Sequence, residues 1–478
     1  MSEALSKKTD ELTQGTAIRS LLMLAGPIVF ANVLQTAYQL IDTFWVGRLG
    51  VNAVAAVSIS FPFLFLLIAI GGGLTITGSI FVAQFAGAKN YEKVNHASGQ
   101  TLSMVIIISI SLSVLGFLLA PYAINMMGAE DELFGLALSY LRISFAGIVF
   151  SFTFMVFQSI LRGVGEVKFP LYVITGTVLL NAILDPVLIF GWGPVPAMGV
   201  SGAAYATILT QGTGGVIGII SLSKGGFGIS LKIKDYLPDW DFIKRSLLMS
   251  IPASLEQSTR SIGMIFMTFL VSGFGTLGLA TMGMGMRIIS LVIIPALGLS
   301  MATSTIVGQN IGADNYPRAE EISRLSAKLG FAILTVLGVL FFIFAAPIIR
   351  VFVPDDEVLV DSSALYLRIA ALSFGFMAAE QALMGTLRGA GAMKAAMLIS
   401  FSTQWLFQYP LAYVLSQYTP LGMIGLWWAF PCATVLTFIV TYWWFAKGTW
   451  KEIRLTKPKE FAIHVSEEII TEEAIPPN

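Results

Sequence analysis

The sequence is written twice. Ser20-Leu21-Leu22-Met23, followed by Pro27, returns as Ser246-Leu247-Leu248-Met249, followed by Pro252. Tyr140-Leu141-Arg142-Ile143 returns as Tyr366-Leu367-Arg368-Ile369, and Leu161-Arg162-Gly163-Val164-Gly165 as Leu387-Arg388-Gly389-Ala390-Gly391. Gln84 with Gly87-Ala88 returns as Gln309 with Gly312-Ala313, and Gly199 with Gly202 as Gly422 with Gly425. Every pair is separated by 223 to 226 residues. One offset kept across five motifs is a duplication, so both halves must fold into the same unit.

Each copy is a run of membrane-length apolar segments. With about 20 apolar residues as the unit of a span, the first half gives approximately 18–47, 53–82, 94–120, 136–160, 169–190 and 199–221. The second gives approximately 245–272, 279–306, 320–345, 363–386, 394–416 and 423–446 by the same measure. Composition agrees: 12% of the residues are charged and 56% hydrophobic, against roughly 25% charged in soluble domains. Six spans per copy is an even number, so both copies enter the membrane from the same side and are related by an axis along its normal. The expected fold is therefore all-α and integral to the membrane: twelve transmembrane helices in two six-helix lobes, 18–221 and 245–446. A linker, 222–244, joins them, with polar tails at 1–17 and 447–478. The first apolar run is too long for a signal peptide and lacks a cleavage-type end, so it is expected to remain in the protein.

Basic residues orient the chain. With a cytoplasmic N-terminus, the inner segments collect most of the Lys and Arg. The outer side keeps Arg48, Arg142, Arg350 and Arg368, with acidic loops at Glu130-Asp131-Glu132 and Asp355-Asp356-Glu357. Both termini are then cytoplasmic, and the expected location is the cell membrane. Zero net charge argues against a nucleic-acid partner. One cysteine and two histidines leave neither a disulfide framework nor a zinc site.

Two aspartates, Asp42 and Asp185, lie inside apolar spans of the first half, and that half has no mid-membrane base to pair with them. A carboxylate at the bilayer centre costs at least about 2.5–3.5 kcal/mol. The return is either binding of a proton, a metal cation or a cationic substrate, or a structural hydrogen bond between helices. Asn32, Gln35, Gln39 and Asp42 fall on one face of the first span, bordered by Tyr38. Thr177, Asn181 and Asp185 share a face of the fifth. Pro186 leaves the Ala182 carbonyl without its helical partner. These are hard oxygen ligands, suited to sodium or to holding a proton. Thr207 on the sixth span adds a hydroxyl, and Tyr140 on the fourth is placed to reach the same pocket. Gln158 is a further candidate for a substrate cavity. Pro27 bends the first span, as a hinge or as a static kink.

The paired lobes, the segment Ile41-Asp42-Thr43-Phe44-Trp45-Val46-Gly47-Arg48-Leu49-Gly50 and Asn181-x-x-x-Asp185-Pro186 resemble the multidrug and toxic compound extrusion (MATE) family. The aspartate of the first span together with Asn-x-x-x-Asp-Pro is similar to its DinF-type branch, over roughly residues 15–446. The resemblance implies two V-shaped lobes and export of organic, often cationic, compounds driven by sodium or protons. Its cation-linked positions fall on Asp42, Asn181, Asp185 and Thr207, with Tyr140 nearby. No cofactor is implied, and membrane lipid and small organic substrates are the expected partners of a monomer.

In the second half, Glu256 and Glu380 sit where other branches of that family place acids. Arg260 lies one turn beyond Glu256, and Arg287 supplies a second positive charge, so a self-neutralised network competes with a second cation or substrate site. Met264, Met267, Met282, Met284, Met286, Met377 and Met384 either line a pliable cavity or fill the core. The Arg-Gly-x-Gly pairs at 162–165 and 388–391 lack the Lys-Ser/Thr of a phosphate loop and fit helix C-termini better. The function expected is cation-coupled multidrug efflux by antiport. The rival is a lipid-linked oligosaccharide flippase of the same superfamily, which would want more bases in its cavity than Arg260 and Arg287. No nucleophile–base pair or metal-ligand set points to an enzyme.

Overall fold

Apolar runs with few helix breakers can satisfy their backbone groups inside a membrane only as helices, and helices they are. The computed structural model of the chain describes residues 2–127, 131–453 and 455–456. The first half holds α1 (Ser2–Gln14), α2 (Ala17–Gly47), α3 (Val51–Gly87), α4 (Tyr91–Met126), α5 (Asp131–Gly163), α6 (Lys168–Phe190) and α7 (Val200–Ser223). A short α8 (Ile233–Tyr236) follows in the linker. The second half holds α9 (Trp240–Ser272), α10 (Gly275–Gly312), α11 (Tyr316–Ile343), α12 (Ala345–Arg350), α13 (Glu357–Ala371) and α14 (Phe374–Ala390). It closes with α15 (Met393–Ser402), a π-helical stretch Thr403–Gln408, α16 (Tyr409–Gln417) and α17 (Met423–Lys447).

Duplication in sequence is duplication in local structure. Asn90 and Asn315 cap α4 and α11 alike, each side chain accepting the backbone N–H three residues on, from Lys93 at 3.1 Å and from Arg318 at 3.3 Å. The Arg-Gly-x-Gly copies are helix ends, as their glycines predict. Gly165 (φ +80°) and Gly391 (φ +89°) turn left-handed, and their N–H groups return to the carbonyls of Arg162 at 2.9 Å and Arg388 at 2.8 Å.

Nine helices among the described residues are long and apolar enough to cross a membrane, and α13 with α14 makes a tenth that is bent by 49°. The sequence predicts one continuous span over 363–386. The bend falls at Leu372-Ser373, where the Ser373 hydroxyl donates back to the Ala370 carbonyl at 2.8 Å and competes with the helical ladder. The seventh and eleventh spans are less apolar for visible reasons. α9 carries the polar run Glu256-Gln257-Ser258-Thr259-Arg260. The eleventh is interrupted by its π-helical stretch, where the Tyr409 N–H reaches back to Gln404, next to Pro410.

By contacts the chain forms two compact units. One contains Gly26–Val82 and Asn90–Ser254 with the chain up to Thr9. The other contains Asp10–Ala25, Ala83–Lys89 and the chain from Leu255 onward. The boundary inside α2 falls beside Pro27, and the boundary inside α9 falls just after its repeat partner Pro252. The polarity of residues 1–17 predicts a tail, yet the segment folds as α1 because Leu5, Thr9, Leu12 and Thr13 form an inward stripe and are buried. Lys8 of this helix pairs with Glu166. Linker residues 230–239 are strapped to α4. Gln100 donates to the carbonyls of Asp235 and Leu237 at 3.0 and 2.6 Å and accepts the Asp239 N–H at 2.8 Å. Glu130 and most of the C-terminal tail, 457–478, lie outside the described residues.

Candidate functional site

The first unit gathers its polar side chains where α2, α5, α6 and α7 converge. α6 and α7 approach closely at Gly202, where a Cβ would stand 2.4 Å from the Leu188 carbonyl oxygen. That contact brings the threonines of α7 into reach of α2. Asn181 and Asp185 are fully buried one turn apart on α6. The Asn181 amide donates to Asp185 Oδ1 at 2.9 Å. Asp42 on α2 is within electrostatic reach of Asp185. It also lines a cavity of about 250 Å³ between α2 and α3 with Thr43, Val46, Val54, Val57, Ser58 and Phe61.

Three buried oxygens here have no hydrogen-bond partner: Asp42 Oδ1, Asn181 Oδ1 and Asp185 Oδ2. Buried polar atoms are seldom left unpaired, because each costs about 1–3 kcal/mol. The three are all acceptors, and two of them are carboxylate oxygens. Sodium, which takes oxygen ligands, and a proton both fit this donor set.

The structure brings Tyr38, Tyr140 and Thr207 to the same place. Tyr38 is buried, with its hydroxyl 2.8 Å from Thr210 Oγ1 and in contact with the Thr207 side chain. Tyr140 is buried in a cluster with Val46, Ile189 and Val200, within electrostatic reach of Asp42, Tyr38 and Asp185. Gln35 and Gln158 are half-buried and Gln39 is exposed. None of the three lines the Asp42 cavity. Thr210, absent from the sequence-derived set, is fully buried and central. Its signal was available as a threonine three residues after Thr207, on the same face of the helix.

The second unit corrects the expected charge pairing. Glu256 is buried, and its principal partner is Arg388 of α14, with Nη2 to Oε1 at 2.5 Å and Nε to Oε2 at 3.4 Å. Arg260 stands farther off, at 3.7 Å. Arg287 is exposed and enters no ion pair among the described residues, so it is not the second neutralising base. The i,i+4 spacing does place Arg260 near Glu256. The planar fork of Arg388, arriving from another helix, makes the closer double contact. Glu380 and Arg260 line a cavity of about 180 Å³ with Gln381, Gln404, Gln408 and Phe430. Of the methionines, Met377 lines this cavity. Met282 and Met384 are core residues, Met267 and Met286 pack against the core, and Met264 is exposed.

Comparison with known proteins gives the frame for this geometry. The sequence model of the MatE family matches residues 27–187 and again 252–414, once in each repeat, starting at Pro27 and at Pro252. The chain is 30% identical over 453 residues to the probable multidrug resistance protein YoeA of Bacillus subtilis strain 168, covering 94% of this chain and 97% of that one. It is 29% identical over 440 residues to the probable multidrug resistance protein NorM of Thermotoga maritima, covering 91% and 93%. Its fold matches the outward-facing structure of a multidrug resistance MATE family transporter of the MOP superfamily, with a TM-score of 0.86 at 25% identity over 92% of this chain and 98% of the other. With both repeats matched, and relatives aligned almost end to end, the chain belongs to the MATE family: it is a multi-pass membrane transporter and not an enzyme.

Proposed function

We propose that this transporter exports amphipathic organic compounds, often cationic, across the cell membrane in exchange for an inward-moving cation, sodium or proton. Both termini face the cytoplasm, and a single chain suffices. The cation is held by Asp42, Asn181 and Asp185, with Thr207 and the Ala182 carbonyl close by. Cation and substrate exclude one another, because a cationic substrate and the coupling ion compete for the same negative charge. The observation that carries this reading is the set of three partnerless buried oxygens on those residues. The names of the relatives support drug-like substrates over a lipid-linked oligosaccharide. The energy is adequate: one charge moved through 100 mV yields about 2.3 kcal/mol, enough for a substrate gradient of roughly fiftyfold.

The test is the purified chain in liposomes loaded with a fluorescent organic cation, with sodium and proton gradients imposed separately. One gradient drives efflux of the dye, and Asp42→Asn and Asp185→Asn each abolish it while the protein stays folded. Efflux at the wild-type rate by either variant removes that residue from the site. Efflux indifferent to both gradients removes the antiport.

A further inference from the structure

We infer that the start of α9 is a binding site for one anionic glycerophospholipid, with an acyl chain in a groove along the helix and the phosphate at Lys244. The inference needs only that the chain spans a membrane. It rests neither on the cation site nor on the direction of transport.

The groove comes from helical spacing. Trp240, Ile243, Lys244, Leu247, Leu248 and Ile251 recur at three- and four-residue steps and line a depression of about 220 Å³ on one face of α9. From Trp240 to Ile251 is eleven residues, about 16 Å at 1.5 Å per residue. One leaflet is half of a hydrocarbon core roughly 30 Å thick, so the groove has the length of a single acyl chain. Leu248 and Ile251 are exposed, and beside a membrane-spanning helix such side chains meet lipid. Trp240, 74% exposed, is the first residue of the helix, the place where an indole sits at headgroup level.

The head of the groove is positive. Lys244 is exposed and enters no ion pair among the described residues. Side chains on a helix lean toward its N-terminus, so the Lys244 stem runs along the groove and carries the ammonium to headgroup level. Residues 222–245 hold five bases, Lys224, Lys232, Lys234, Lys244 and Arg245, against three acids. Two of the acids are already engaged: buried Asp235 accepts the Lys232 N–H at 2.8 Å, and Asp239 caps α9 and meets His96. The third, Asp241, lies in the first turn of α9, where the helix dipole favours a carboxylate. A cluster of this size next to a membrane-spanning helix attracts anionic lipid.

The segment leading into the groove is held for the same contact. Asn95 accepts the Ser230 N–H at 3.0 Å and Ser103 donates to the Tyr236 carbonyl at 2.9 Å. Yet on this strapped segment Ile233 and Leu237 are 85% and 64% exposed. Apolar side chains presented outward beside lysines fit the boundary between headgroups and acyl chains. The shared fold does not require this: 226 residues earlier, the first repeat has Gln14 in place of Trp240 and Ile18 in place of Lys244.

The experiment places the full chain in vesicles of phosphatidylcholine and phosphatidylglycerol at equal mole fraction, one or the other carrying a photoreactive group on its acyl chain. Adducts are located by mass spectrometry of the peptides. The reading is the ratio of phosphatidylglycerol to phosphatidylcholine labelling at residues 247–251, in which any loss of folded protein cancels. In the wild type phosphatidylglycerol labels the more strongly, and glycerol phosphate in solution does not compete. Lys244→Gln keeps the stem, removes the charge and lowers the ratio about fivefold, the share of one basic residue near an anionic surface. Lys328→Gln removes the same charge from an exposed position on α11 and leaves the ratio in place. Equal labelling by the two lipids in the wild type overturns the inference, and so does a ratio that Lys244→Gln leaves intact. Competition by glycerol phosphate overturns the lipid assignment, because it makes Lys244 the site of a soluble anion.

Discussion

Gly87 and Gly312 occupy matching places in the two repeats, and each lies against the backbone of the other's neighbouring glutamine. A Cβ on Gly87 would stand 1.8 Å from the Gln309 carbonyl oxygen, and a Cβ on Gly312 1.9 Å from that of Gln84. The last turn of α3 and the last turn of α10 therefore cross at backbone contact, with each copy of one motif serving as the other's seat. Small residues let helix backbones close in this way where no hydrophobic force favours helix over lipid.

Neither alanine can be fitted without moving a backbone. Gly87→Ala and Gly312→Ala are each expected to destabilise the protein by about 1–3 kcal/mol through overpacking. The measurement is the thermal midpoint in detergent. Alanine at Gly135, where an added Cβ meets nothing within 4 Å, is the control and should leave the midpoint in place. Equal midpoints for Gly87→Ala and the control would mean that this crossing adjusts freely.

The second prediction concerns Glu256 and Arg388, which meet across 132 residues of sequence with the shortest contact at 2.5 Å. Removing one member of a buried pair leaves the other charge uncompensated, at a cost of about 3–5 kcal/mol. Glu256→Gln and Arg388→Gln should each lower the thermal midpoint strongly, and the double variant should recover much of the loss, as positive coupling in a double-mutant cycle. Arg260→Gln, half-exposed and farther away, should cost about 1 kcal/mol or less. If Arg260 shows the larger coupling to Glu256, the assignment of Arg388 as principal partner fails.

The third prediction is on Asn181. Its amide fixes Asp185 Oδ1, and its own oxygen is one of the three orphans. Asn181→Ala removes both the clamp and the ligand, so apparent affinity for the driving cation should fall by tenfold or more on the order-of-magnitude value of a hydrogen bond to a charged group. The maximal efflux rate should change less than the affinity. A variant with normal affinity and a depressed maximal rate would place Asn181 in the conformational step instead of the binding step.

Much of this architecture was legible because duplication and apolar run length are properties of the chain itself. The Arg-Gly-x-Gly helix ends and the α6 constellation followed from local spacing. What escaped was set by contacts remote in sequence. Arg388 was read as a helix-end cation, and nothing local announces that its guanidinium reaches Glu256. The bend at Ser373 has neither proline nor glycine at its break to mark it. Thr210 meets a hydroxyl on α2, 172 residues away. The charge network of the second unit was read from i,i+4 spacing and a count of charges, which found Arg260, enlisted Arg287 and missed the closer partner.

The last prediction tests the linker strap through Asp239. This carboxylate stands before α9 and accepts the N–H groups of Asp241 at 3.1 Å and Phe242 at 3.2 Å through Oδ1, the arrangement of a helix N-cap. Its Oδ2 meets His96 of α4 at 3.1 Å. Burial alone would raise its pKa, but the Phe242 N–H, the His96 side chain and the Asp241 N–H outweigh burial and hold it below the usual carboxylate value. A carboxylate with a depressed folded-state pKa contributes stability that is present in full above the unfolded value, about 3.9. That stability is lost as the pH falls through the folded value. Asp239→Asn keeps a capping oxygen and loses the charge. Its thermal midpoint should therefore lie below wild type at pH 6 to 7, with the gap closing below about pH 4. His96→Gln should narrow the same gap at neutral pH by removing one of the groups that favour the charged form. A difference between wild type and Asp239→Asn that stays constant from pH 7 to about pH 3 would show that the side chain acts only through its shape.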